Sequence, residues 1–106
     1  MKKIIFYKTP NGKVPFNDWL GGIKDKITVN KVVNRINMLE QGFMPDFDHV
    51  GEGVFETRIH TRGGVRIYYL PYKDAIIVLL CGGIKDTQEK DIKKAISYAN
   101  EFRSHL

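Results

Sequence analysis

Between Gly51 and Ala95 the chain reads GEGVFETRIHTRGGVRIYYLPYKDAIIVLLCGGIKDTQEKDIKKA, and no other stretch constrains the fold as much. Three apolar or alternating runs are separated by the turn signals Gly63-Gly64 and Lys73-Asp74, and a helical period follows the third. A strand meander feeding a helix has that pattern. Alternation puts Phe55, Thr57 and Ile59 on one face of the first strand and Glu56, Arg58 and His60 on the other. On the next strand Val65, Ile67 and Tyr69 oppose Arg66, Tyr68 and Leu70. A three-residue connection from Arg62 to Gly64 would set Arg58 opposite Tyr68 and His60 opposite Arg66, all on one face. A two-residue loop at Gly63-Gly64 would separate the arginines, and the longer connection is preferred because it gathers charge on one side. The third run, Ala75 to Leu80, is almost wholly apolar and is expected to be central. Gly82-Gly83 is read as the break after it, with Lys85 just beyond.

Upstream, Lys3 to Tyr7 is a short strand ended by Thr9-Pro10-Asn11-Gly12. Pro15 suits a first helical turn, Phe16, Trp19 and Leu20 share a face, and Gly21-Gly22 closes that helix. A longer helix is expected from Asp25 or Thr28 to Gln41, with Val29, Val32, Val33, Ile36 and Leu39 as its stripe. Lys26, Lys31, Asn34 and Arg35 lie on its other side, and Gly42 stops it. Phe43 to Val50 is read as a loop. The last helix opens at Asp86 or Thr87 and carries Ile92, Ala95, Ile96, Ala99 and Phe102 as its stripe. The order β-α-α-β-β-β-α predicts a single α+β domain over residues 1–106, a mainly antiparallel twisted sheet with helices packed on one side.

Composition narrows the function classes. A net charge of +5 permits an acidic partner, either nucleic acid or an acidic protein. No apolar run reaches the ~18 residues of a membrane span, and MKKIIFYK lacks the apolar length of a signal peptide. A cytoplasmic location without membrane contact is expected. The single cysteine, Cys81, sits among apolar residues and reads as a small core residue, not a nucleophile. His49, His60 and His105 are scattered, and no cysteine, histidine or carboxylate spacing suggests a metal or cofactor site.

Cations on successive strands remain. Phosphodiester cleavage in RNA needs little machinery, because the 2′-hydroxyl nucleophile is already in the substrate. Charge builds on the non-bridging oxygens, where the planar fork of Arg58 or Arg66 is suited. Lys85 would contact the phosphate or neutralise the leaving 5′-oxygen. His60 and Tyr68 are the proton-transfer candidates by strand parity. A salt bridge to Arg58 or Arg66 accounts for Glu56. Each cation also has a plainer reading: Arg58 paired on a solvated face, Arg66 bracing a turn, Lys85 at a helix entry.

The ordered set Gly51-Glu-Gly-Val54, Glu56-Thr-Arg-Ile59, Gly64-Val-Arg-Ile-Tyr68 and Gly82-Gly-Ile-Lys85, with Gln88 and Asp91, resembles the RelE/HigB-type toxins of bacterial and phage type II toxin–antitoxin modules. Trp19 and the helix before Gly42 also match in kind and order. The resemblance implies a RelE-like fold and a metal-independent mRNA endoribonuclease that acts on the ribosome and inhibits translation. It implies Arg58, Arg66 and Lys85 as catalytic cations, with His60 and Tyr68 beside them. Arg62, Lys31 and Arg35 are assigned to RNA contact. A helix-turn-helix antitoxin is the expected partner, and operator binding would belong to the complex, not to this chain. The sequence departs from the pattern at Val65, where an aromatic is common. It departs again at Asp91 and Ile92, where several relatives carry a catalytic tyrosine. Two alternatives stand beside this reading: a ParE-like gyrase poison, which shares the fold, and a non-catalytic or decayed interaction module.

Overall fold

The computed structural model describes residues 1–106. In chain order the elements are β1 (Lys3–Phe6), α1 (Pro15–Gly21), α2 (Lys26–Glu40), β2 (Phe47–Gly51), β3 (Val54–Ile59), β4 (Val65–Tyr72), β5 (Ile76–Ile84), a 3-10 turn (Lys85–Thr87) and α3 (Gln88–Ser104). The strands form one sheet in the order β1-β5-β4-β3-β2. Only β1 and β5 are parallel, so the sheet is mixed and the class is α+β. No helix is long and apolar enough to cross a membrane.

The helices form where their stripes require. Pro15 occupies the first turn of α1 and Phe16 is fully buried. Asp25 caps α2, accepting from the Ile27 amide at 3.2 Å and the Thr28 hydroxyl at 2.7 Å. Val32 and Leu39 bury the α2 stripe, and Ala95 and Ala99 bury that of α3.

These stripes cover opposite faces of the sheet, which corrects the expected one-sided packing. Phe16, Val32 and Leu39 pack with Ile59, Ile67, Tyr69, Ile77 and Leu79. Ala95 and Ala99 pack with Tyr7, Val54, Tyr68, Leu70, Val78 and Leu80. The reason lies in β4 and β5, whose apolar residues point both ways. A sheet covered on one face only would leave half of them in water.

Three further expectations change. The segment read as a loop contains β2, an exposed edge strand in which Asp48 and His49 supply the polar side chains that keep such edges from pairing further. Between β3 and β4 the connection is five residues, His60 to Gly64, because pairing ends at Ile59 and Val65. Gly63 and Gly64 turn it with φ of 87° and 67°. Arg58 therefore lies opposite Arg66, not Tyr68, and Glu56 lies opposite Tyr68. Lengthening a loop by two residues preserves parity, so both arginines still share a face.

Lastly, Gly82-Gly83 lies inside β5 and is no break. A bulge at Leu80 precedes it, since Tyr68 pairs with Cys81 while Tyr69 pairs with Leu79. A Cβ at Gly82 would sit 2.4 Å from the Trp19 ring, and one at Gly83 would sit 1.9 Å from Asp91 Oδ2. The glycines admit α1 on one face and α3 on the other.

Gly83→Ala should therefore destabilise the fold by at least about 1–3 kcal/mol, read as a lower urea midpoint. Asp91→Ala in the same chain should restore most of the loss. Simply additive losses would show that this contact does not limit the position.

Candidate functional site

On the α3 face, near the end of the sheet that carries the β3–β4 loop, two directly opposed pairs form a square. Arg58 faces Arg66, and Glu56 faces Tyr68. Glu56 is only 2% exposed, an unusual place for a carboxylate unless it is paired. It accepts from Gln88 Nε2 at 3.0 Å and 3.2 Å, and Arg58 Nη1 lies 3.2 Å from it. Arg66 Nε stands 3.7 Å away, an ion pair without a hydrogen bond. Both arginines anticipated as partners of Glu56 thus reach it.

Arg58 carries more. Its guanidinium holds Asp46 Oδ1 through Nε at 3.1 Å and Nη2 at 2.8 Å, and Asp48 Oδ2 through Nη1 at 2.5 Å. Hydrogen bonds to Asp48 and then Asp46 raise its already high pKa. Three carboxylates therefore surround one guanidinium. Two of them come from the segment between α2 and the end of β2, which strand parity within the meander could not place.

Arg66 is buried and donates from Nη1 to the Gly64 carbonyl at 2.6 Å. Lys85 is exposed and joins none of the ion pairs. Its stem reaches the same turn, since a Cβ on Gly64 would lie 2.8 Å from Arg66 Nη1 and 3.2 Å from Lys85 Cβ. The Arg66 guanidinium and the base of the Lys85 side chain thus both border Gly64. Tyr68 is on the right face but fully buried, and its hydroxyl has no partner. Burial first, then the charges of Glu56 and Asp91, raise its pKa and keep its proton in place. Asp91, also buried, accepts from the Thr87 hydroxyl at 2.5 Å.

His60 lies outside the strand on the exposed loop, with Nε2 2.8 Å from Asp46 Oδ2. Asp46 thereby links His60 to Arg58. Lys31 Nζ donates to the His60 carbonyl at 3.3 Å. Arg35 is drawn away from any open face. It donates from Nη1 to the Thr57 hydroxyl and the Arg58 carbonyl at 2.6 Å each, pinning α2 to β3. Arg62 is exposed on the β3–β4 loop, away from the square. Cys81 is buried, and burial pushes its thiol up to about 12, so it stays protonated.

Residues missed from the sequence are Asp46, Asp48, Thr87 and the buried role of Asp91. Pro45-Asp46 reads as turn chemistry, and Asp46 does adopt a φ of 49°. Nothing in that pattern signals that its carboxylate crosses to β3.

A family model for the phage derived protein Gp49-like family (DUF891) matches residues 18–103, a span containing every side chain of this network. The chain belongs to the Gp49-like family. At a coarse level these proteins are RelE-like and are associated with toxin–antitoxin modules. An uncharacterized protein of Haemophilus influenzae is 40% identical over 87 residues, covering 82% of this chain and 88% of that protein.

The ion pairs predict a pH response. Hydrogen bonding to Arg58 holds the Asp46 carboxyl below its ordinary range. A depressed folded-state pKa contributes stability that is complete above the unfolded value, about 4. It is lost as pH falls through the folded one. Asp46→Asn should flatten the stability curve below pH ~4 and leave its shape at pH 6–8 unchanged. Urea midpoints measured across pH check this, and an unchanged acid limb would exclude Asp46 as a contributor.

Proposed function

We propose that this Gp49-like protein is the toxin of a type II toxin–antitoxin module and cuts mRNA without a metal, on the ribosome. One observation supports this most. A continuous polar network runs from His60 through Asp46, Arg58 and Glu56 to Arg66, and Lys85 stands beside Arg66. A carboxylate-oriented imidazole linked to paired cations is the equipment that 2′-hydroxyl attack requires.

In this reading the RNA 2′-oxygen attacks the adjacent phosphorus and passes its proton to His60, which Asp46 orients. A 2′,3′-cyclic phosphate forms, and the bond to the 5′-oxygen breaks. Arg66 takes the charge that builds on the non-bridging oxygens. Lys85 neutralises the departing oxygen. Arg58 has its donors committed to carboxylates and positions Asp46 and Glu56 instead of gripping phosphate. Tyr68 frames the site and moves no proton. The exposed Lys26 and Lys31 on α2 would steer an acidic antitoxin.

A second reading draws on the same square. Arg58 is outnumbered by Asp46, Asp48 and Glu56, a balance that suits a protein-binding face better than a phosphate site. Gyrase poisoning is the corresponding activity.

Expression of the chain alone in bacteria separates the two. RNA cutting predicts growth arrest with new transcript 5′ ends, whereas gyrase poisoning predicts whole transcripts and an induced DNA-damage reporter. Loss of neither growth nor transcripts would overturn both. Lys85→Ala and His60→Gln should reduce cleavage with unfolding temperatures preserved, since both residues are exposed. Arg66→Ala should reduce it ~10²–10³-fold. It should also cost stability, on the order of 1–3 kcal/mol, because a buried acid loses a partner. Full cleavage by an equally abundant Arg66→Ala protein would remove Arg66 from the reaction.

A further inference from the structure

The opposite face of the same sheet end carries a pocket that the cutting reaction does not use. It measures about 270 Å³ and is bounded by Trp19, Lys24, Asp25, Arg62, Val65 and Ile84, among others. The indole is held firmly: its ring lies against Gly82, and the Phe16 ring tilts against it at a centroid distance of 5.5 Å. Val65 and Ile84 are cross-strand partners that supply an apolar wall. Lys24 and Arg62 are exposed, and neither is in an ion pair. The one acid, Asp25, is occupied as the α2 cap. Hydrogen bonds from the Thr28 hydroxyl and the Ile27 amide keep it ionised.

A fixed aromatic surface, an apolar wall and two free cations match a nucleobase with its flanking phosphates. An acidic peptide would find the cations but have no use for the ring. Position supports the same occupant. Arg66 and Lys85 directly follow Val65 and Ile84 in sequence, and the Lys85 amide donates to the Gly63 carbonyl at 3.1 Å. Val65 and Arg66 point to opposite faces of β4, and Lys85 opens the turn directly after Ile84, so the sheet's end carries Arg66 on one side and the pocket on the other. The loop bearing Arg62 spans the two.

We propose that this pocket is a nucleobase subsite, in which an unpaired RNA base stacks on Trp19 while Lys24 and Arg62 hold its flanking phosphates. The same strand continues around the sheet's end to place its scissile phosphate at Arg66 and Lys85. This subsite rests on the RNA-cutting reading of the neighbouring face.

Trp19 is the chain's sole tryptophan, so its fluorescence reports on this pocket alone. The full chain is titrated with a short single-stranded RNA bearing 2′-O-methyl groups, which cannot be cut, and with an abasic chain of equal length. The RNA should quench Trp19 saturably, and the abasic chain should bind more weakly without quenching. Trp19→Leu, followed by anisotropy of labelled RNA, should lose roughly 5- to 150-fold in affinity. Removing Lys24 and Arg62 together should lower the salt slope of log K by about 1.4. Equal quenching by the abasic chain overturns the subsite, even where Trp19→Leu fails to fold. Unchanged affinity in a folded Trp19→Leu protein does the same. Base-dependent quenching with intact transcripts in the expression test leaves the subsite standing and removes the cutting reaction. Transcript cleavage without quenching removes the subsite alone.

Discussion

Glu56 is the charge around which the rest of the molecule is arranged. A carboxylate at this depth persists only when its oxygens are engaged. The partners that engage them come from different elements: Arg58 from β3, Arg66 from β4 and Gln88 from the first turn of α3. One buried acid therefore fixes the lateral register of two strands and the position where the last helix lands. Removing it would leave two guanidinium groups facing each other across adjacent strands, a like-charge pair that sheets disfavour. The outer ring of Asp46 and Asp48 then extends the same neutralisation to the edge strand.

This arrangement explains why the cationic character visible in the sequence is muted in the fold. Arg58 spends its donors inside the protein, and Arg35 spends its own on backbone and Thr57. What remains available to an anion at this end of the sheet is narrower: Lys85, the Nη2 group of Arg66, and Arg62 and Lys24 beside the pocket. Net charge counts residues, whereas binding counts donors that have no internal acceptor.

The three helices were legible because each carries an apolar stripe at helical spacing, and β5 because its run is long and unbroken. The two-sided covering was also written in β4 and β5. Val65, Ile67 and Tyr69 are apolar toward one face, and Tyr68 and Leu70 toward the other, a pattern that a one-sided layer cannot satisfy. Strand β2 was not legible, since an edge strand gains little from apolar residues and Phe47-Asp48-His49 reads as loop. Parity placed Arg58 and Arg66 on one face whether the loop held three residues or five. It gave no means of finding Asp46 and Asp48, which reach Arg58 through tertiary pairing. Arg35 shows a related limit. Helical periodicity set it away from the stripe, but a long side chain reaches back to acceptors beside its helix.

Gly82 and Gly83 have a consequence for how the layers communicate. Side chains on a sheet face usually hold a covering helix off the sheet's backbone. Here two successive residues contribute none, so an indole and a carboxylate rest on opposite sides of bare backbone. At this point the wall between the two halves of the molecule is one peptide thick. Close-packed interiors transmit displacement with little compression. A push on the ring from one side meets the backbone directly, and behind that backbone stands the start of α3, with Asp91 and the turn that carries Lys85.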